Sequence, residues 1–387
     1  MKKIAIIGAG ISGLILGNFL KSKSINFKIF EKKSEIDFTE GYGIQLGINS
    51  IQILNKIGFK NFDHNFLHNP KKIIIKSLQN QSKISQIDLD YFNNSSEKYT
   101  CLKRSVLVKF LYKEIQEKID LNKSVNTFEH LDEKVKINFF DQTLEEFDYV
   151  ILASGLEADI SKLLFKNYHQ KTYSGYLAVR RIFTEKINFV EEKNITLFFG
   201  KNSHLVTYPI NINETKNAVF IVKQNLNDTK FFSSWRRSYE GLEFLDKLLK
   251  ENLYINSQEF WHIFKKNPSW WPIFINRNFL EPKYKNVFAV GDAIYSNLPT
   301  LAQGAGQAIE SAYELSNILD KEIDIESKKY FLNRKKRLQL VDKRIRLNNF
   351  IFHISNPLLI FFRNVIMKLI SNRRIFLNNY LGKIYRN

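Results

Sequence analysis

Glycine is scarce in this chain. Sixteen in 387 residues is about 4%, against a usual ~7%. Ten of the sixteen fall in three short segments: Gly8, Gly10, Gly13 and Gly17, then Gly41, Gly43 and Gly47, then Gly291, Gly304 and Gly306. A chain this sparing keeps glycine where φ must be positive or where backbone presses on a ligand or on other backbone. Cysteine is nearly absent. Cys101 alone excludes an internal disulfide and points to a reducing compartment, so a cytoplasmic location is expected, with Cys101 a small packed residue. The seven histidines form no ligand cluster. His64 and His68 are four apart, but Pro70 and the neighbouring asparagines mark a loop, and no metal site is expected. Apolar runs of about 18 residues are missing, which argues against a membrane span. The apolar start after Lys2-Lys3 is broken by glycines, which argues against a signal peptide. Acids vanish from the tail: beyond Ser327 the only one is Asp342, against fifteen Lys and Arg, or +14 of the formal +19.

What is present reads as an α/β pattern. Lys3–Ile7 is a short apolar strand, Ile11–Leu20 a helix with Ile11, Leu14, Ile15 and Phe19 on one side, and Phe27–Phe30 a second strand closing on Glu31. Further helices are expected around 49–57, ended by Gly58, and over 105–119, with Ser105 as a possible cap. Tyr149–Ala153 is another strand of the same unit. From Tyr173 to Lys223 the texture changes to short β-branched or aromatic segments at 176–183, 195–199, 205–210 and 218–223. These make a mostly antiparallel sheet inserted into the first domain. The chain returns with a strand at 286–290, and a helix runs from after Gln303 to about Leu319.

Gly8-Ala9-Gly10-Ile11-Ser12-Gly13 is a GxGxxG between strand and helix. The first glycine makes the turn, the second lets a pyrophosphate approach, and the third lets helix pack on strand, with the helix N-terminus facing phosphate. Glu31, about twenty residues on and ending the next strand, suits a ribose 2′-hydroxyl and would repel a 2′-phosphate. The site therefore fits FAD or NAD rather than NADP.

Val290-Gly291-Asp292-Ala293, continuing through Leu298-Pro299-Thr300-Leu301-Ala302-Gln303-Gly304-Ala305-Gly306, resembles the second FAD motif of single-component flavoprotein monooxygenases. That is the aromatic-ring hydroxylase family of the salicylate and hydroxybenzoate hydroxylases. Gly43-Ile44-Gln45-Leu46 with Asn49, Leu102-Lys103-Arg104, Gly175-Tyr176 with Arg180, and Tyr208-Pro209 add to the resemblance, which covers residues 3 to about 320. It implies FAD as cofactor, NAD(P)H as co-substrate, O2, and a flavin C4a-hydroperoxide that hydroxylates a small aromatic or lipophilic substrate. It further implies that Asp292 binds the ribityl chain, that 299–304 lines the isoalloxazine, and that Arg104 lies along the cofactor. A helix starting near Gly304 would stabilise anionic reduced flavin. Two departures stand out. Ser154-Gly155 replaces the usual Asp-Gly, which makes nicotinamide use less assured, and Tyr295 stands where relatives often carry histidine.

The expected architecture is a Rossmann-like FAD-binding domain (1–70, 98–170, 276–320), an inserted antiparallel β-sheet substrate domain (71–97, 171–275) and a basic C-terminal helical segment (321–387). Cofactor residues are Gly8, Gly10, Ser12, Gly13, Glu31, Gly43, Ile44, Arg104, Gly155, Gly291, Asp292, Gly304 and Ala305. On the substrate side stand Gln303, Pro299, Tyr176, Tyr208, Arg180 as a carboxylate partner, and His204 as base or relay. Trp270-Trp271-Pro272 reads as core. Two alternatives stay open: a non-hydroxylating FAD-dependent oxidoreductase, and a flavoprotein acting chiefly as a membrane-surface module. Phe350–Ile370 is apolar but interrupted by His353, Asn356, Pro357, Arg363 and Lys368, so it cannot span a bilayer as a simple helix. Cations at 334–337, 343–346 and 373–374 could meet anionic headgroups, giving a peripheral contact at the inner membrane face. The other expectation is that these helices pack on the first domain and show a solvated basic face. No nucleic-acid partner is expected.

Overall fold

A computed structural model describes residues 2–39, 41–156, 158–166, 171–226, 232–254, 258–266, 268–276, 281–319 and 323–385. The fold is α/β. Lys3–Ile7 is the middle strand of a five-stranded sheet ordered Val287–Ala289, Tyr149–Leu152, Lys3–Ile7, Asn26–Phe30, Ile119–Asp120. Every neighbouring pair is parallel. Parallel strands buried on both faces read as continuous apolar runs, and Ile4, Ala5 and Ile6 have no exposed surface.

Six helices position the site: α1 (Ile11–Ser22), α2 (Ile48–Asn55), α3 (Arg104–Lys113), α4 (Gly304–Ser316), α5 (Ile323–Phe352) and α6 (Pro357–Ile370). The turn into α1 needs two of its glycines outright. Gly8 has φ +109°, and a Cβ on Gly13 would stand 2.0 Å from the Gly8 carbonyl oxygen. Two expected helices are shorter than the sequence pattern suggests. Ser105 does not cap α3, because Arg104 already begins it after Lys103. Nor does α3 reach Ile119, which joins the edge of the parallel sheet instead. The helix expected at 49–57 starts at Ile48 and ends at Asn55, and Gly58 (φ +92°) opens a separate turn.

A second sheet of seven strands runs Ser269–Ile275, Thr172–Phe183, Lys216–Lys223, Ser203–Pro209, Ile195–Phe199, Lys72–Ser77, Lys83–Asp88. All pairs are antiparallel except Ile195–Phe199 with Lys72–Ser77. One face packs Phe198 and Phe220 against Phe260 and Phe264. Residues from the other face cluster with Val341, Phe352, Met367 and Tyr385 of the tail. The expected boundary at 320–321 falls outside the described residues.

Two cations of the tail, Arg334 and Arg337, are not part of a solvated face. Arg334 is 1% exposed and its guanidinium meets Glu310 at 3.3 Å and Glu314 at 3.0 Å, while donating to the Gln307 side chain at 2.7 Å. Arg337 pairs with the same Glu310 at 2.7 Å and donates to the carbonyl oxygens of Lys383 and Ile384. The guanidinium groups hold the Glu310 carboxyl below its ordinary pKa despite its burial. These groups therefore clamp α5 to α4 and cannot meet a headgroup.

Candidate active site

The turn before α1, the first residue of α3 and the start of α4 converge on a cleft of about 490 Å³. Gly8, Gly10, Ser12 and Glu31 line one end, with Ile44 and Arg104 along it. Gly155, Asp292, Gly304 and Ala305 line it as well. Neither α1 nor α4 has a side-chain cap, and neither carries an acid in its first turn. Their free N–H groups thus point positive partial charge at the cleft. Glu31 sits at the same turn, its two carboxylate oxygens accepting from the Ala9 N–H at 2.9 Å and the Lys33 N–H at 3.1 Å. Each oxygen keeps a lone pair for a further donor.

The residues fit a bound dinucleotide. A Cβ built on Gly10, Gly155 or Gly304 would meet nothing within 4 Å, so these three glycines border space rather than protein. The Ser154 hydroxyl, also lining the cleft, is buried without a hydrogen-bond partner. Gly13 and Gly291 act from behind the wall: a Cβ on Gly291 (φ +63°) would collide with the Ser12 hydroxyl at 2.1 Å. Gly43 stands elsewhere. Its N–H donates to the Asn217 side chain at 2.9 Å and its carbonyl accepts from the Tyr208 hydroxyl at 2.7 Å, which ties the strand Gly43–Leu46, part of a small three-stranded sheet, to the seven-stranded one.

Asp292 and Gly304 also line a second cavity of about 370 Å³, with Arg180, Trp271, Gln303 and Pro299. Arg180 lies 5.0 Å from the centroid of the Trp271 ring. Its Nε is buried without a partner, and burial lowers its pKa. Gln303 is 3% exposed, its side-chain oxygen accepting from Gln307 at 3.1 Å. Ala302, beside it, has φ +53°, a strained conformation for a residue with a Cβ. Pro299 is shared with a third cavity, about 480 Å³ and apolar, which lies under the tail helices and contains His204 and Gln45.

Two substrate-side candidates have hydrogen-bond partners within the protein, and one of them, Tyr208, lines none of the three cavities. Tyr208 is 4% exposed; its hydroxyl is occupied by Gly43 and its pKa is raised by burial, so it serves the sheet junction. His204 lines the apolar cavity and not the cleft of about 490 Å³. Its Nδ1 lies 2.8 Å from His353 Nε2, and burial lowers the pKa of both rings, that of His353 to about 4. Tyr176 stacks on the same His353 at 4.9 Å.

The profile of a protein family described as "FAD binding domain" matches residues 1–337. The chain belongs to the FAD-dependent aromatic-ring monooxygenases. It is 21% identical over 341 residues to 3-amino-4-hydroxybenzoate 2-monooxygenase of Streptomyces cremeus, covering 82% of this chain and 78% of the relative. It is 24% identical to 6-hydroxynicotinate 3-monooxygenase of Pseudomonas fluorescens, covering 82% of each. In fold it resembles Klebsiella pneumoniae HpxO complexed with FAD and uric acid, with TM-score 0.83, 18% identity and coverage of 99% of this chain and 97% of that one. A salicylate hydroxylase substrate complex gives TM-score 0.79 at 18% identity, covering 100% and 95%.

The sequence did not single out Trp271 as part of this monooxygenase's cavities, nor His353 as the partner of His204. For Trp271 a signal existed. Successive strand residues face opposite ways, so Trp270 enters the core at 3% exposure while Trp271 turns to Arg180. His353 carried no such signal, because only the packing of the tail brings it to His204.

Asp292 can be reached from the cleft, yet protein packed around its carboxyl strips away water and pushes its pKa up from 3.8 to about 6. The folded apoprotein therefore keeps this proton where the unfolded chain has lost it. Its contribution to stability is complete below about pH 4 and fades as pH rises through about 6. Denaturant midpoints of apoprotein across that window are expected to fall for the wild type relative to Asp292→Asn. Parallel curves would refute the shift.

Proposed function

We propose that this monooxygenase hydroxylates an aromatic or quinone-precursor substrate using NAD(P)H and O2. The observation that carries the reading is the adjacency of three spaces: the cleft and the Arg180 cavity share Asp292 and Gly304 in their walls, and that cavity and the apolar one share Pro299. A long cofactor with a reactive end and a separate substrate need this arrangement. In this reading segments 1–70, 98–170 and 276–320 hold FAD, and segments 71–97 and 171–275 hold substrate.

The turn at Gly8, Gly10, Ser12 and Gly13 admits the pyrophosphate to the α1 N-terminus, and Glu31 accepts from the adenosine ribose. Ile44 and Arg104 flank the chain of the cofactor. Asp292 accepts from its ribityl hydroxyls, with Gly291 holding the aspartate in place and Gly155 leaving room. Gly304 and Ala305 present the α4 N-terminus to the ring, where N–H groups favour negative charge. Bound FAD would supply the redox chemistry: two electrons from NAD(P)H, one oxygen atom of O2 to the substrate and the other released as water. Pro299 and Gln303 border the reacting edge and keep water from it. Arg180, a buried cation stacked on Trp271, offers an attractive charge to an anionic group entering that cavity.

The test is a screen of aromatic compounds for stimulated NADH and NADPH oxidation, with product mass showing the gain of one oxygen atom. A non-hydroxylating oxidoreductase is the second reading, and Ser154 in place of the usual aspartate favours it. NAD(P)H oxidation without an oxygenated product from any compound would support that reading. Ser154→Asp is expected to speed flavin reduction in stopped flow if the replaced carboxylate limits nicotinamide use. An unchanged rate would remove Ser154 from that role.

A further inference from the structure

Helix α6 is built inside out. A helix on the surface of a protein in water buries its apolar stripe and shows polar residues. In α6 the buried residues are Arg363 and Met367, whereas Leu358 is 63%, Phe361 62% and Leu369 58% exposed. Ten of the eighteen exposed large hydrophobic side chains among the described residues lie between 347 and 375, so this is a patch and not scatter. The helix is firmly seated. Arg363 lies 4.6 Å from the Phe199 ring centroid and donates to the Ile351 carbonyl at 3.2 Å. The Ser85 hydroxyl donates to the Met367 carbonyl at 2.9 Å.

Two further observations say what covers the patch. Lys368, Arg373 and Arg374 are exposed on or just after α6, and no acid occurs beyond Asp342. Leu359, Phe362 and Ile366 are exposed and also line the apolar cavity of about 480 Å³ that reaches Pro299. The patch is thus the mouth of the cavity. No helix among the described residues is long and apolar enough to cross a membrane.

We infer that α6 docks flat on an anionic lipid surface and that the cavity behind it opens there, so that the substrate is a lipophilic aromatic compound drawn from the bilayer. Docking rests on α6 alone; the substrate class rests on the hydroxylase reading above. Cations beside the apolar face add electrostatic attraction to the buried area. This differs from the sequence expectation in one respect: Arg334 and Arg337 are consumed by Glu310, and the surface face is apolar first and basic second.

The full-length FAD-loaded protein should co-sediment with vesicles of phosphatidylglycerol and phosphatidylcholine and much less with phosphatidylcholine alone. Raising ionic strength from about 0.01 M to about 1 M shortens the screening length from about 30 Å to about 3 Å and should weaken the binding. Phe361→Gln with Leu369→Gln changes side chains outside the cavity lining. The pair should lose sedimentation while keeping FAD content and the thermal transition. No sedimentation of the wild type at low salt overturns docking, as does a doubled mass in light scattering that this variant halves, since a second copy would then be the occupant. For the substrate, a long-chain alkylphenol in the vesicles should stimulate NAD(P)H oxidation and gain oxygen. Hydroxylation of water-soluble hydroxybenzoates alone overturns the substrate class, whereas vesicle binding without oxygenation of any compound leaves docking standing and overturns the hydroxylase reading.

Discussion

Gly10→Leu protein should purify folded and colourless. Gly10 is the residue before α1, with extended backbone (φ −76°, ψ −176°) that any residue adopts, and a Cβ there would meet no protein atom within 4 Å. A leucine therefore fills only the space in front of the α1 N-terminus, where pyrophosphate must come within hydrogen-bonding distance of backbone. Flavin absorbance should vanish, and added FAD should not restore it, while far-UV circular dichroism keeps the wild-type helix signal. Gly13→Ala should behave differently, because its Cβ would stand 2.0 Å from the Gly8 carbonyl oxygen, and the protein should misfold. A yellow Gly10→Leu protein would show that the cofactor does not approach this turn.

Glu310→Ala is expected to cost about 3–5 kcal/mol, the scale for removing one partner of a buried charge pair. Glu310 is 1% exposed and its partner Arg334 is equally buried, so the alanine leaves a guanidinium from which water is excluded with the partly exposed Glu314 as its remaining carboxylate. Arg337 and the Asn49 side chain lose their acceptor as well. Since these bonds tie α5 to α4, limited proteolysis should cut beyond residue 323 before the rest of the chain. The double replacement Glu310→Leu with Arg334→Met should recover part of the loss, because the fully buried guanidinium leaves together with its carboxylate, while Arg337 keeps the Lys383 and Ile384 carbonyl oxygens. Equal stability of Glu310→Ala and wild type in denaturant melts would mean that packing alone holds the tail.

The elements easiest to read were those whose reasons are local. Ile195–Phe199 is a strand at the very residues its β-branched and aromatic run marks. The break after Ile7 and the start of α1 follow from glycines whose neighbours leave no room for a side chain. Reading failed where a distant segment decides. Ser105 looks like a helix cap, but pairing of Thr100–Lys103 with Gly43–Leu46 delivers the chain so that α3 already starts at Arg104. Tyr208 looks like an acid–base group, and its hydroxyl is consumed by a partner 165 residues away in the chain, while His204 gains a partner, His353, 149 residues away. Gly43 looks like a cofactor glycine, yet the space it keeps free is filled by Tyr208, Ile210 and Asn217.

By itself the sequence determined the glycine turn before α1, the carboxylate after the second strand and the family, because each rests on sterics or spacing within a few bonded neighbours or on an ordered set of motifs. Only the tertiary structure decided how the tail is used. Fifteen cations beyond Ser327 read as one basic surface. Folding divides them: Arg334 and Arg337 neutralise Glu310 inside the protein, Arg363 turns inward over Phe199, and the apolar side chains of α6 are left facing out. Charge and hydropathy are properties of residues, but which side of a helix meets water depends on what the rest of the chain places against it. A sequence does not display that until it is folded.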